Sequence, residues 1–455
     1  MSALLLKKFR WLRYICPVVI IVTLILLLWT LRSRPYQTFR IPAHSNQPRN
    51  PVRPPKPVRC GPAQTGSQVP LVAVKETKTI LVSAFQEHRT EKKMVRVIAV
   101  VLRSETVAYR CVFCCMGQQH ISEGFRNVHG DHFGFAYGTA DIMCPLPSSC
   151  DSPSHVTVTS AADSQEKLDK VYLEVKNKKT ESESFHYSFT VCISTMFDFN
   201  NMLQLVQSFE TLQLLGVDRV VVYKTSSSPE TQRILDYYTQ KGLVEVIPWT
   251  LSRFLNMSRS WLPEHGPGEI HYFGQIPVLH DCLYRYMYQS RYVALHDIDE
   301  LILPQSVDSW SELLPLLENK YDRPCFMFEN NVFPNTVKVT HLNSDWQKVP
   351  GVNILTHLYQ EPVSSDYSNF KTIVNPRAVF SLTVHGLLDP DTLQVCSWVE
   401  RNIARMYHTR HPRQPELTQK ELIYDDRLLK YGARFTQSVN TVLSECGLLQ
   451  KDGVQ

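Results

Sequence analysis

Acidic side chains are missing from the first 75 residues; the first is Glu76. Eleven of the chain's 48 Lys and Arg residues lie between Lys7 and Arg59, whereas all 43 Asp and Glu residues come later. The formal net charge of +5 therefore belongs to the amino-terminal part, and the remainder is neutral to mildly acidic. That distribution excludes nucleic acid as the expected partner. Charge of either sign is missing from Tyr14 to Leu31, YICPVVIIVTLILLLWTL. At about 1.5 Å per residue the run spans roughly 27 Å, enough for a thin early-secretory bilayer. It ends in WTLRSRP, without the small-residue cleavage site of a signal peptide. Residues 14–31 are expected to form an uncleaved membrane anchor behind a short cytoplasmic tail, 1–13. Hydrophobic periodicity is missing from 32–70, where proline and basic residues dominate, so this stretch predicts an extended stem.

A chain of 455 residues with 43% hydrophobic and 20% charged side chains can bury the cores of two or three domains. Cys16 falls in the span, and eleven further cysteines follow it. That density suits an oxidising lumen and several disulfides, with connectivity left open. An odd number leaves one thiol over, a route to a homodimer. Cys111 and Cys114 have zinc-ligand spacing, but an oxidising compartment favours disulfides there.

Residues 71–185 carry short runs rich in Val, Ile and Tyr (TILVSAFQEH, MVRVIAVVLR, VAYRCVFCC, HVTVTS, KVYLEVK) with no long helical period between them. They predict a small β-rich, sandwich-like domain. From 186 to 455 the pattern changes. YSFTVCIST reads as a buried strand, and Asn200 to Gly216 has helical spacing and ends in glycine. RVVVYK reads as a second strand, PETQRILDYYTQKG as a helix with Pro at its first turn, and VEVIPW as a third strand. The order strand, helix, strand, helix, strand predicts a parallel α/β half that binds ligands at the carboxyl ends of its strands. A further helix is expected over Gln275 to Gln289.

The chemistry concentrates in RYVALHDIDELILP. An apolar strand runs into Asp297-Ile298-Asp299-Glu300 and apolar sequence resumes. On an extended chain Asp297 and Asp299 face one side and Ile298 the other. Paired carboxylates at a strand end form a hard-oxygen site for Mg²⁺ or Mn²⁺, whose shell is completed by water and substrate phosphates. Such an ion neutralises a diphosphate leaving group. Asp-x-Asp alone is a common pattern; a core strand ending in three acidic residues, where unpaired charge is costly, favours the metal reading.

These residues also carry a resemblance. CLYRY, then RYVALHDIDELILP, resembles the core of glycosyltransferase family 92, whose members are type II Golgi enzymes with a GT-A fold. LLGVDRVVVYK, KTIVNP, Val384-His385-Gly386 and Tyr407-His408-Thr409-Arg410 are similar to other blocks of that family, in its order, over roughly residues 187–415. Leu301 stands where the family commonly has an aromatic, and the stretch between Phe333 and Phe370 diverges. The resemblance implies an α/β GT-A transferase domain and inverting transfer from a UDP-sugar, UDP-galactose in characterised members. The implied acceptor is an N-glycan of a glycoprotein, with Mn²⁺ or Mg²⁺ as cofactor and the body in the Golgi lumen.

It further implies Asp299 as a metal ligand and Asp297 as a contact to metal or donor ribose. His385 matches the late metal-ligand histidine of many GT-A enzymes, with a hydrogen-bonded core histidine as the alternative. Lys371 could hold the diphosphate, or be an exposed loop lysine. Thr195 would contact the uracil, and Arg410 a phosphate or the acceptor. Inversion also requires a general base, for which Glu329, Asp345, Glu361 and Asp366 are candidates. Glu329 is preferred because it follows the apolar strand CFMF. The competing reading is a single-pass binding protein with a catalytically silent transferase-like domain. A two-metal phosphohydrolase would want a denser set of Asp and His ligands than this sequence shows.

Overall fold

The computed structural model describes residues 60, 71–162, 171–180, 184–339, 345–363, 369–388 and 395–449. The expected tail and anchor, nearly all of the stem and Asp366 lie outside the described residues, as does the side chain of Asp345. Among the described residues no helix is long and apolar enough to cross a membrane.

Strands β1 (Val72–Ala73), β2 (Ile80–Glu87), β3 (Met94–Leu102), β4 (Tyr109–Cys115), β5 (Gln118–Val128), β6 (Tyr137–Pro145), β7 (His155–Ser160) and β8 (Leu173–Lys176) form one sheet. Its order is β1-β2-β3-β6-β5-β4-β7-β8, and β8 also pairs back on β2. The expected sandwich-like module is thus a flattened, closed sheet. Closure is made by β8, which pairs with β7 on one side and β2 on the other, while β5 spans from β4 along its first seven residues to β6 along its last four. A closed sheet leaves few open strand edges.

Along β2 and β3 the side chains alternate between two cores. Leu81, Ala84, Val95, Val97 and Ala99 fill the interior of the closed sheet. Ile80, Val82, Phe85, Ile98 and Val100 point the other way, into a core shared with Trp249, Leu279 and Leu283 of the α/β layer. Burial of both faces explains why these strands read as nearly continuous apolar runs. Disulfides Cys60–Cys114, Cys111–Cys144 and Cys115–Cys150 staple the layer.

The α/β layer begins with β9 (Tyr187–Met196), helix α1 (Met202–Leu214), β10 (Arg219–Lys224), helix α2 (Pro229–Gln240) and β11 (Val244–Pro248). The three strands are parallel, as the alternating pattern predicts. Asn201 caps α1 by accepting from Gln204 N, and Ser228 caps α2 by accepting from Thr231 N, with Pro229 in its first turn. Gly242 follows α2 at φ +81°, the left-handed turn that ends a helix and that glycine adopts without strain.

Helix α3 (Gln275–Tyr286), β12 (Ser290–His296), β13 (Glu300–Pro304), helix α4 (Trp310–Tyr321) and β14 (Cys325–Pro334) follow. Then come β15 (Tyr359–Gln360), β16 (Phe370–Val374), β17 (Leu382–Thr383), β18 (Gly386–Leu387), β19 (Cys396–Trp398), β20 (Ala404–Arg410), β21 (Ile423–Tyr424) and helix α5 (Gly432–Glu445). The nine-stranded sheet runs β11-β10-β9-β12-β16-β14-β20-β13, with β19 beside β14. Cys192–Cys282 ties β9 to α3, and Cys325–Cys396 ties β14 to β19. Cys446, the free thiol among the described residues, is buried. It therefore does not offer the expected route to a homodimer, and Cys16 lies outside the described residues.

Candidate active site

Parallel pairing of β9 and β12 sets His296 opposite Ile193, so the next residue of each chain, Ser194 and Asp297, meet at the carboxyl end of the sheet. The chain then turns at Ile298–Asp299, and β13 starts at Glu300. The Asp-x-Asp segment is therefore a tight turn rather than the extended run expected from sequence. Its backbone closes with Glu300 N donating to Asp297 O at 3.2 Å. Both carboxylates still reach one cavity, and Ile298 packs against the core.

That cavity has a volume of about 890 Å³, the size range of small-molecule sites. Ser194, Thr195, Asp297, Asp299, His385 and Arg410 all line it. Five of the seven sequence candidates, separated by up to 215 positions, are thereby brought together. Thr195 offers a buried hydroxyl with no hydrogen-bond partner.

Asp297 is heavily engaged. Ser194 Oγ donates to its Oδ1 at 2.6 Å, with Gln275 Nε2 at 3.4 Å, and Lys371 Nζ donates to Oδ2 at 3.0 Å. Burial alone would raise its pKa, but the Lys371 ammonium and the Ser194 hydrogen bond outweigh it and hold the carboxyl well below the usual range. Lys371 is not the exposed loop lysine considered from sequence. It sits in β16, 2% exposed, with a second contact to Glu300 Oε2 at 3.1 Å. Two carboxylates keep it charged against the cost of burial. As found it pairs with the acid cluster, and it does not line the cavity.

Asp299 is the freer carboxylate, with 37% of its side chain exposed. His408 Nε2 donates to it at 3.2 Å, while His408 Nδ1 lies 3.5 Å from Glu300 Oε1. Burial opposes charge on His408, but the bond to Asp299 and the fields of both carboxylates prevail, and its pKa lies above the usual imidazole value. Sequence reading missed this residue. Its signal was the antiparallel pairing of β13 with β20, which sets His408 opposite Glu300.

His385 occupies the two-residue turn of the β17–β18 hairpin, which Gly386 permits with φ +134°. Its Nδ1–H donates to the Phe370 carbonyl at 3.0 Å. Burial first, then the Lys371 charge, lowers its pKa to about 4. The imidazole is therefore neutral near pH 7, with the Nε2 lone pair free of that bond, the tautomer a metal requires.

Glu329, the preferred base, is placed elsewhere. It is not among the residues lining the cavity, and its carboxylate lies 3.6 Å from Arg401. Glu361 does not line the cavity either; it is buried and accepts from the backbone of Arg413 and Gln414.

Among the described residues no three His, Cys, Asp or Glu side chains are grouped closely enough to hold a metal ion by themselves. The donors that are present, the half-exposed Asp299 carboxylate and the neutral His385 imidazole, nevertheless fit a hard divalent ion that takes few protein ligands and completes its shell with water and phosphate.

A mixed α/β sheet whose parallel strands β11, β10, β9 and β12 end at a cavity lined by carboxylates has the form of a nucleotide-binding enzyme domain. The profile of glycosyltransferase family 92 matches residues 187–445, more than half of the chain, and the chain belongs to that family. A glycosyltransferase family 92 protein of Caenorhabditis elegans is 27% identical over 132 residues, 29% of this chain and 26% of that protein. The β-1,4-galactosyltransferase galt-1 of the same organism is 19% identical over 250 residues, 54% of this chain and 53% of that protein. The chain thus spans about half or less of the length of these relatives. Among solved structures, glucosyl-3-phosphoglycerate synthase from Mycobacterium tuberculosis, in complex with Mn²⁺, UDP and glucosyl-3-phosphoglycerate, is similar at TM-score 0.25 and 14% identity. That match covers 58% of this chain and 82% of the synthase. The galactosyltransferase LgtC, with donor and acceptor sugar analogues, is similar at TM-score 0.27 and 12% identity, over 56% of this chain and 95% of LgtC.

Proposed function

We propose that this glycosyltransferase is a metal-dependent, inverting hexosyltransferase that moves galactose from UDP-galactose to a glycan acceptor on glycoproteins. The observation that carries this reading is the meeting of Asp299, Asp297 and the neutral His385 in one nucleotide-sized cavity at the carboxyl ends of β9 and β12. The 19% identity to a β-1,4-galactosyltransferase supports galactose as the sugar. Charge-free Tyr14–Leu31 supports a single-pass type II anchor in the Golgi membrane with the transferase body in the lumen, as a GT-A-type domain.

In this reading Asp299 and His385 hold Mn²⁺ or Mg²⁺, which when bound would offset the charge of the leaving diphosphate. Lys371 and Ser194 fix the first carboxylate, so that Asp297 stays ionised and oriented toward the donor. Thr195 presents its unpartnered hydroxyl to the uracil side of the site, and Arg410 adds a fixed positive charge at the cavity wall. The alternative, a binding protein with a silent transferase-like domain, predicts no turnover. The test is transfer from a panel of UDP-sugars onto N-glycans ending in galactose or fucose, with Mn²⁺ and with chelator. Transfer that requires the ion supports the enzyme. A folded chain that binds and turns over no UDP-sugar overturns it.

A further inference from the structure

Among the residues that line the cavity and have no role above is a group of aromatic rings. They are Phe133, Trp261, Tyr272 and Phe273, and each keeps part of its surface open. The rings form one continuous wall. Trp261 stacks on Tyr272 with centroids 4.8 Å apart and planes 11° from parallel, and Phe133 meets Trp261 at 4.9 Å. Phe273 in turn stacks on Phe197 at 4.5 Å.

Three of these four rings are held by backbone that bulky residues avoid: φ is 52° at Phe133, 28° at Tyr272 and 55° at Phe273. Such conformations persist only where the surroundings impose them, and they gather at ligand sites. The surroundings here are hydrogen bonds. Tyr272 N donates to Ser260 O at 3.0 Å and Phe273 N to Ser258 O at 2.9 Å, while Trp249 Nε1 donates to Phe273 O at 3.0 Å.

Phe133 belongs to the other layer, on the loop between β5 and β6. Arg103 Nε anchors that loop by donating to Phe135 O at 2.6 Å, and Tyr137 N donates to Glu269 O at 2.9 Å. Asp131 accepts from Thr383, two residues from His385. The β-rich layer is thereby fastened to the α/β layer beside the cavity.

Apolar rings left half open on a polar cavity suit a ligand with one apolar face and a polar rim. A pyranose is such a ligand: its C–H face stacks on an aromatic plane and its hydroxyls reach outward. We propose that Phe133, Trp261 and Tyr272 form the seat of the acceptor sugar, so that the β-rich layer is a working part of the acceptor site. The assignment rests on the transferase reading. It separates the two substrates: the donor diphosphate belongs with Asp299 and His385, and the acceptor ring with the aromatic wall.

The test is steady-state kinetics of the full-length chain and its Phe133→Leu and Phe133→Tyr variants, alongside titration of tryptophan fluorescence with a galactose-terminated N-glycan in the absence of donor. Phe133→Leu is expected to raise the acceptor KM about tenfold and leave the donor KM within about twofold. Phe133→Tyr, which keeps the ring, restores the acceptor KM. Wild-type fluorescence responds saturably to the glycan, and Phe133→Leu weakens the response. Should Phe133→Leu not fold, Trp261→Phe combined with the wild-type titration decides the matter, because an absent glycan response overturns the proposal. A shift in the donor KM alone would identify the wall as a nucleobase platform and equally overturn it. Transfer that is untouched at Phe133 sinks the wall while sparing the enzyme. A Phe133-dependent glycan response without any transfer sinks the enzyme while sparing the wall.

Discussion

The Lys371 ammonium lies 3.0 Å from Asp297 Oδ2, a buried ion pair that joins β16 to the turn after β12. With Glu300 Oε2 at 3.1 Å from the same nitrogen, one cation is shared by two carboxylates. Removing it takes from Asp297 and Glu300 the cation that they share. Lys371→Met is therefore expected to destabilise the fold by about 3–5 kcal/mol, read as a lowered midpoint in chemical denaturation. A variant within about 1 kcal/mol of wild type would show that the cluster does not depend on this pair.

Asp131 supplies a pH signature. Burial, partly opposed by His129 and the Thr383 hydrogen bond, lifts its pKa from 3.8 to about 6. A carboxyl with a raised folded-state pKa favours folding most below its ordinary pKa, and that contribution is lost as pH rises through about 6. Asp131→Asn removes the dependence. At pH 7 the variant is expected to be more stable by on the order of 1–2 kcal/mol, with the difference vanishing near pH 4. Thermal melts of both proteins across this range check it; parallel curves would contradict it.

The disulfide Cys192–Cys282 closes a separation of 90 residues between β9 and α3, beneath the strand end that carries Ser194. Replacing both cysteines with alanine is expected to cost about 2–5 kcal/mol, measured by denaturant midpoint. No loss of stability would mean that packing between β9 and α3 suffices without the bond.

Much of the α/β layer was legible because its signals are local. Ser228-Pro229 starts α2 and Gly242 ends it, and apolar spacing marks α1. The carboxylate pair was legible because charge at the end of an apolar strand requires an explanation. Strands β5 and β6 escaped because Gln118–Val128 is polar and largely exposed, and because Asp141 interrupts the apolar run of β6, where its charge is met by Arg96. The ion pairing of Lys371, the reach of His408 to Asp299 and the arrival of Phe133 at the cavity all depend on strand register or layer contacts. Those relationships join residues separated by 74 to 109 positions or more, and no local pattern encodes them. Glu329 shows the converse. An apolar strand does precede it, yet its carboxylate lies beside Arg401 and does not line the cavity.

The central claim concentrates on Asp299. The measurement that tests it most directly is galactose transfer from UDP-galactose with Mn²⁺ by the wild-type chain and by Asp299→Asn, each verified as folded by circular dichroism. Ion-dependent turnover is expected in the wild type, with a loss of at least about 100-fold in Asp299→Asn, at little cost to stability since this side chain is 37% exposed. Equal turnover in the two proteins would contradict it.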